Sequence, residues 1–178
     1  MIRQLRDGLR ADIARHQKLT NPASWPLIVH RLGRAARSLP RPLEAIGSRV
    51  YGLACIGLEL TIGTVLYRET EIGEGLLLIH GSNIKIHPGA VLGARVALNH
   101  NVTIGVPLRG EGTPRIGNDV TIGTGATILG SITIGDGANI AAGSLVVSDI
   151  PPGATAMGVP ARPLPERKPH AVPLKPAM

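Results

Sequence analysis

Six histidines and one cysteine are the side chains of this 178-residue chain best suited to acid–base or nucleophilic work. An imidazole has a reference pKa of ~6.5, close to working pH, so a positioned histidine can take a proton from a hydroxyl and give it back within one turnover. His80 stands in LLIHGSNI, His87 directly before Pro88, and His100 in LNHNVTIG. His16, His30 and His170 fall in stretches that read as helix or tail. On residue type alone, His80 reads first as a surface histidine in a turn and only second as a general base. No two histidines share the i, i+4 helical spacing and no carboxylate cluster supports one, so we expect no metal site. Cys55 lies in the apolar run Tyr51 to Leu58 and reads as a buried thiol, not a nucleophile. Glu71, Glu74 and Glu111 are the carboxylates available to hold an imidazole tautomer, and each also reads as a solvent-facing acid.

These side chains are carried by a repeat. From Ile116 an aliphatic residue falls on every sixth position: Ile116, Ile122, Ile128, Ile134, Ile140 and Val146. Four residues after each comes a second small or apolar one: Val120, Ala126, Ile132, Ala138, Ser144 and Ile150. The register runs upstream through Ile86, Leu92, Leu98 and Ile104, and fails at Gly110, where VPLRGEGTP replaces one face with a loop. Six residues is the period of neither a helix nor a hairpin. It fits short strands joined by tight turns, stacked so that two side chains per hexad point inward, the signature of a parallel β-helix. Leu78 to Ile86 spans eight residues, so two extra ones loosen the turn that carries His80.

Residues 1–18 and about 24–37 read as helices, with Ser24 as a cap and Pro26 in the first turn. A further segment, 43–58, leads into the repeat. We therefore divide the chain into a helical front (1–58), a β-helix (59–162) and a proline-rich, disordered tail (163–178). The start is charged throughout, which predicts no signal peptide and a cytoplasmic protein. The most apolar stretch, Tyr51 to Leu66, reads as too short to span a bilayer and contains Glu59. Aromatic residues are only 2%, too few for the stacking platforms of single-strand nucleic-acid binders. The net charge of +7 is concentrated early, from Arg3 to Arg49. It reads as a solvated helical face that also suits an anionic membrane surface, and we expect no nucleic-acid partner.

The stretches EIGEGLLLIHG, IHPGAVLGARVALNHNVTIG, PRIGNDVTIGTGATILGSITIGDGANIAAGSLV and DIPPGATAMGVPAR resemble the serine acetyltransferase-like branch of the hexapeptide acyltransferases. LRADIARHQ and LIVHRLGR resemble that branch's N-terminal helices, so the resemblance covers roughly residues 8–162. It implies a mainly β fold, a left-handed β-helix with a short helical front that is shorter than in the full serine enzymes. It also implies homotrimers with active sites between neighbouring subunits, and acetyl-CoA as donor.

The family's catalytic histidine maps to His80. The Asp before it in serine enzymes is Ile79 here, the upstream Asp falls at Val65, and a second histidine falls at Thr113. These departures, with the short front, His80-Gly81 and HNVTIG, look closer to the colanic-acid and exopolysaccharide members. With three hexads per coil, as the family implies, His80 and His100 stack on adjacent coils at one corner, ~4.8 Å apart by strand spacing. The resemblance places the acetyl-CoA groove at the turns of Gly105, Gly123 to Ala126 and Ala142 to Ser144, used through backbone hydrogen bonds, with Arg162 on the CoA phosphates. It makes residues 106–115 a lid over the site, bringing Arg109, Glu111 and Thr113 to the substrate. The expected function is acetyl transfer from acetyl-CoA to a saccharide hydroxyl by His80, assisted by His100. The alternatives are serine O-acetylation and a catalytically idle scaffold.

Overall fold

The computed structural model describes residues 2–16 and 21–164. Most of the expected tail, and His170 with it, lies outside the described residues. Three helices come first: α1 (Ile2–His16), α2 (Trp25–Ala36) and α3 (Arg41–Ile62). Ser24 does not cap α2 with its side chain; its hydroxyl donates to the carbonyl of Asn21 at 2.7 Å. The cap here is Asn21, whose side chain accepts from the Ala23 N–H and opens a 3-10 turn, Pro22–Ser24.

The helical front runs past the expected boundary at 58. Pro42 sits in the first turn of α3, where a missing N–H costs little, and no residue leaves the right-handed helix until Gly63, although Gly47, Gly52 and Gly57 lie within it. Gly63 takes φ 68° and donates back to the carbonyls of Leu58 and Glu59, a left-handed C-terminal cap. The apolar stretch is therefore part of a longer helix than the sequence reading gave. α3 has 22 residues, and an 18-residue stretch of it has a mean hydropathy of 1.3, long and apolar enough to cross a membrane by length and composition.

The repeat folds as read, into short parallel strands on three faces. Face 1 holds β1 (Glu71–Ile72), β4 (Val91–Leu92), β7 (Arg115–Ile116) and β10 (Thr133–Ile134). Face 2 holds β2 (Leu77–Leu78), β5 (Ala97–Leu98), β8 (Thr121–Ile122) and β11 (Asn139–Ile140), closed by the hairpin of β13 (Thr155–Gly158) and β14 (Ala161–Pro163). Face 3 holds β3 (Lys85–Ile86), β6 (Thr103–Gly105), β9 (Thr127–Leu129) and β12 (Leu145–Val146). The inward positions of the regular hexads are buried: Ile122, Ile128, Ile134, Ile140 and Val146 at 0%, Val120 and Ala126 at 0%. Leu108, four residues after Ile104 and expected inward, is instead fully exposed because the excursion loop begins there. At the corner between faces 1 and 2 a side chain has no room: a Cβ on Gly93 would lie 2.7 Å from the Gly117 carbonyl carbon.

A β-helix leaves the backbone of its first coil unpaired, and such an edge needs a cap. The front supplies it. Asp12 accepts from the N–H groups of Gly75 (2.8 Å) and Leu76 (3.1 Å). Arg31 pairs with Asp12 at 3.0 Å and donates to the carbonyls of Ile72 and Gly73. His16 accepts the Leu78 N–H on Nε2 at 3.1 Å, and its Nδ1 lies 2.8 Å from the Asp12 carbonyl. Thr64 accepts the Ile84 N–H.

His30 is wholly buried; its Nδ1 lies 2.9 Å from the Tyr67 carbonyl and its Nε2 has no partner. Burial, and after it the nearby Arg31, lowers its pKa from 6.5 to about 4. A depressed pKa stabilises the fold in full above the unfolded value and loses that contribution as the pH falls from 6.5 towards 4. The loss amounts to about 3 kcal/mol. Urea unfolding at stepped pH is expected to show this decline, and His30→Gln to remove most of it.

Candidate active site

His80 and His100 each stand two residues beyond an inward leucine, and those leucines, Leu78 and Leu98, are register partners on β2 and β5. The two rings consequently stack at the corner between faces 2 and 3, with centroids 5.7 Å apart and planes crossed at 73°, edge to face. His80 is exposed and takes φ 68°, a left-handed backbone uncommon for a residue with a Cβ. Asn83, Arg95, Asn101 and Asp119 take the same conformation at other turn positions of the repeat, so it belongs to the turns and does not single out His80. His100 is half-buried, and its Nδ1 is buried with no hydrogen-bond partner. That leaves a buried, unpartnered ring nitrogen beside an accessible imidazole.

The front end shapes this turn. His16 holds the Leu78 N–H just before it, and the carbonyl of Ile62 accepts from Asn83 just after it. Gly81 has φ 52°, and a Cβ there would lie 2.6 Å from the Cβ of Ala23 in the Pro22–Ser24 turn. Gly81→Ala is expected to push the two apart and cost about 1–3 kcal/mol, read as a lower urea midpoint.

The same corner continues upward through Gly123 and Ala142. Thr124 and Ala142 follow inward isoleucines by two residues, as the histidines follow leucines, and the Gly143 N–H donates to the Thr124 carbonyl. Gly125 donates likewise to the His100 carbonyl. A Cβ on Gly123 would meet the Ala142 nitrogen at 2.5 Å, so the coils pack backbone to backbone here, while Gly125 and Gly143 face open space and leave their backbone accessible above the histidines.

Other expected site residues are placed elsewhere. Ala126 and Ser144 turn their side chains into the core, 0% and 1% exposed, so any contact with a ligand in an outer groove is through their backbone, as expected. Gly105 ends β6 at the corner between faces 3 and 1, near His87. The excursion loop leaves from that corner too. Arg109 and Glu111 are exposed on it, and Thr113 fastens its return by donating to the Gly89 carbonyl at 2.7 Å. Within one chain the loop is therefore a face away from His80 and does not cover it. Arg162 lies on β14, exposed, at the far end of face 2. Glu71 is on face 1, and Glu74 is at the following corner with its carbonyl bonded to Arg95. None of the three candidate carboxylates reaches the histidine corner. Cys55 is half-buried beside Tyr51, and the His87 ring accepts the Gly89 N–H of its own turn. Among the described residues, no group of three or more His, Cys, Asp or Glu is placed to hold a metal ion.

Residues 113–148 match the family described as bacterial transferase hexapeptide (six repeats). The apoenzyme structure of soybean serine acetyltransferase superposes with a TM-score of 0.74 at 33% identity, covering 90% of this chain and 69% of that one. The chain belongs to the serine acetyltransferase family. Its β-helix is left-handed, as in other members. A member from Brucella abortus, in complex with coenzyme A, superposes with a TM-score of 0.75 at 28% identity, covering 92% of this chain and 67% of that one. The probable serine acetyltransferase 1 of Oryza sativa subsp. japonica is 48% identical over 99 residues, 54% of this chain. This chain spans about a third of that relative's length, 33%. All three similar proteins carry the serine acetyltransferase name and none the colanic-acid one, although Val65, Ile79 and Thr113 depart from the serine pattern.

Proposed function

We propose that this chain transfers the acetyl group of acetyl-CoA to the hydroxyl of L-serine, with His80 as general base. The observation that carries this reading is the His80–His100 pair at one corner of a serine acetyltransferase-family β-helix. His80 takes the hydroxyl proton as the oxygen attacks the thioester carbonyl, and the imidazolium then returns it to the departing CoA thiolate. Among the described residues no hydroxyl or thiol at the corner, Ser82 and Thr124 included, is hydrogen-bonded to either histidine, so none is activated to form an acyl-enzyme and the transfer is direct. A backbone N–H of the groove above the histidines stabilises the oxyanion, a contribution of ~3 kcal/mol per donor. His100 holds the His80 ring edge-on. Because His80 is exposed and the loop sits a face away, the working site is completed by a neighbouring copy in a homotrimer. That copy's loop brings Arg109, Glu111 and Thr113 over the histidines.

One observation favours a saccharide acceptor as a second reading. Among the described residues the corner holds no carboxylate, with Ile79 and Val65 at the family's acidic positions, so the ammonium group of serine meets no fixed anion there. Thiol release from acetyl-CoA decides between them, measured with L-serine, simple sugars and nucleotide sugars as separate acceptors. Release with L-serine is the expected result. Release with sugars alone establishes the second reading, and acetyl-CoA binding without release to any acceptor favours a scaffold.

A further inference from the structure

The helix α3 is apolar along a face that no described residue covers. Leu43, Ile46, Val50, Leu53 and Leu60 recur at steps of three, four and seven residues and are 52% to 82% exposed. Of the whole helix, only Leu58 is fully buried. The face continues onto α2 through Trp25 and Leu32, at 53% and 51% exposed. Between the two helices runs an apolar groove of about 510 Å³, floored by Ala54, Gly57 and Leu58. A contiguous exposed patch of this extent marks an interaction surface in a folded protein.

Charge selects the occupant. Arg49 stands within the apolar arc and Arg41 at its start, both exposed and, among the described residues, without an ion-pair partner. The only carboxylates of α3 are Glu44, which is half-buried, and Glu59, which pairs with Lys85 on β3. A second copy packed helix to helix would bury Arg49 with no anion opposite, which is costly. At a lipid surface the apolar stem of an arginine lies among the acyl chains while the guanidinium reaches up to the phosphates. The charge of the front agrees: residues 1–70 carry eleven Lys or Arg against five Asp or Glu.

We propose that α3, with Trp25 and Leu32 of α2, docks this protein on an anionic lipid bilayer, lying in the plane of the interface. The helix does not span while it is docked on the fold. Its other side packs on α2, where Gly33 gives room to the Tyr51 ring and Gly47 to Ala36, and the Ile62 carbonyl is bonded to Asn83. An in-plane amphipathic helix buries its apolar face at the boundary between headgroups and acyl chains and is drawn there by anionic lipid.

Cosedimentation of the full chain with phosphatidylcholine vesicles, with and without phosphatidylserine, tests this without any activity readout. The expected result is binding to the anionic vesicles that weakens with salt, a loss of at least tenfold for Leu53→Glu, and about fivefold weaker binding for Arg49→Gln. Leu53 is 71% exposed, so its substitution leaves the core untouched, and an unchanged melting temperature of the vesicle-free variant verifies that. No binding to anionic vesicles overturns the proposal, as does binding that Leu53→Glu leaves unchanged. A wild-type assembly that ignores vesicles and is split by Leu53→Glu overturns it in favour of a second copy on this face.

Discussion

His80→Ala is expected to lower kcat for acetyl transfer by about 10²- to 10⁴-fold, the range a positioned general base contributes. The KM for acetyl-CoA should change little, because the backbone column at Gly123 and Ala142 is untouched. The effect should lie in kcat because the hydroxyl proton leaves only as the oxygen attacks. His100→Ala should cost less, since its half-buried ring meets His80 edge-on and does not itself take the proton. Steady-state kinetics on the two variants check this ordering. An equal and complete loss in both would make the pair act as one unit.

Asp12→Ala is expected to destabilise the fold by about 3–5 kcal/mol, the cost of breaking a buried ion pair from one side. The carboxylate is 2% exposed and serves three partners at once: Arg31 and the N–H groups of Gly75 and Leu76. Its removal leaves a guanidinium and two backbone donors buried at the open end of the β-helix. Urea unfolding gives the magnitude. In the Asp12→Ala background, Arg31→Met should cost less than in the parent chain, because the two share one network. Loosening this cap should also reach the histidine turn, since His16 bonds both to Asp12 and to the backbone of Leu78.

Much of the fold was legible because the hexad register is a geometric count. Each inward aliphatic fixes its neighbours' direction, so the stacking of His80 on His100 follows once three hexads make a coil. The same count placed the side chains of Ala126 and Ser144 inward, which leaves only their backbone for the ligand contact expected of them. The cap was not legible. Asp12, His16 and Arg31 lie on helices whose charges read as a solvated face, and only the unpaired first coil gives them buried partners. The length of α3 was underestimated because its glycines and β-branched residues mimic a linker, whereas the residue that ends it is Gly63. The loop's place follows from topology: it leaves at the end of face 3, and no single-chain pattern brings it to the corner before that face.

The most direct test of the central claim is the product formed from acetyl-CoA and L-serine by the purified chain. The account predicts O-acetylserine in amounts equal to the CoA thiol released, with both lost in His80→Ala. Undiminished O-acetylserine formation by His80→Ala, or thiol release that leaves L-serine unmodified, would contradict it.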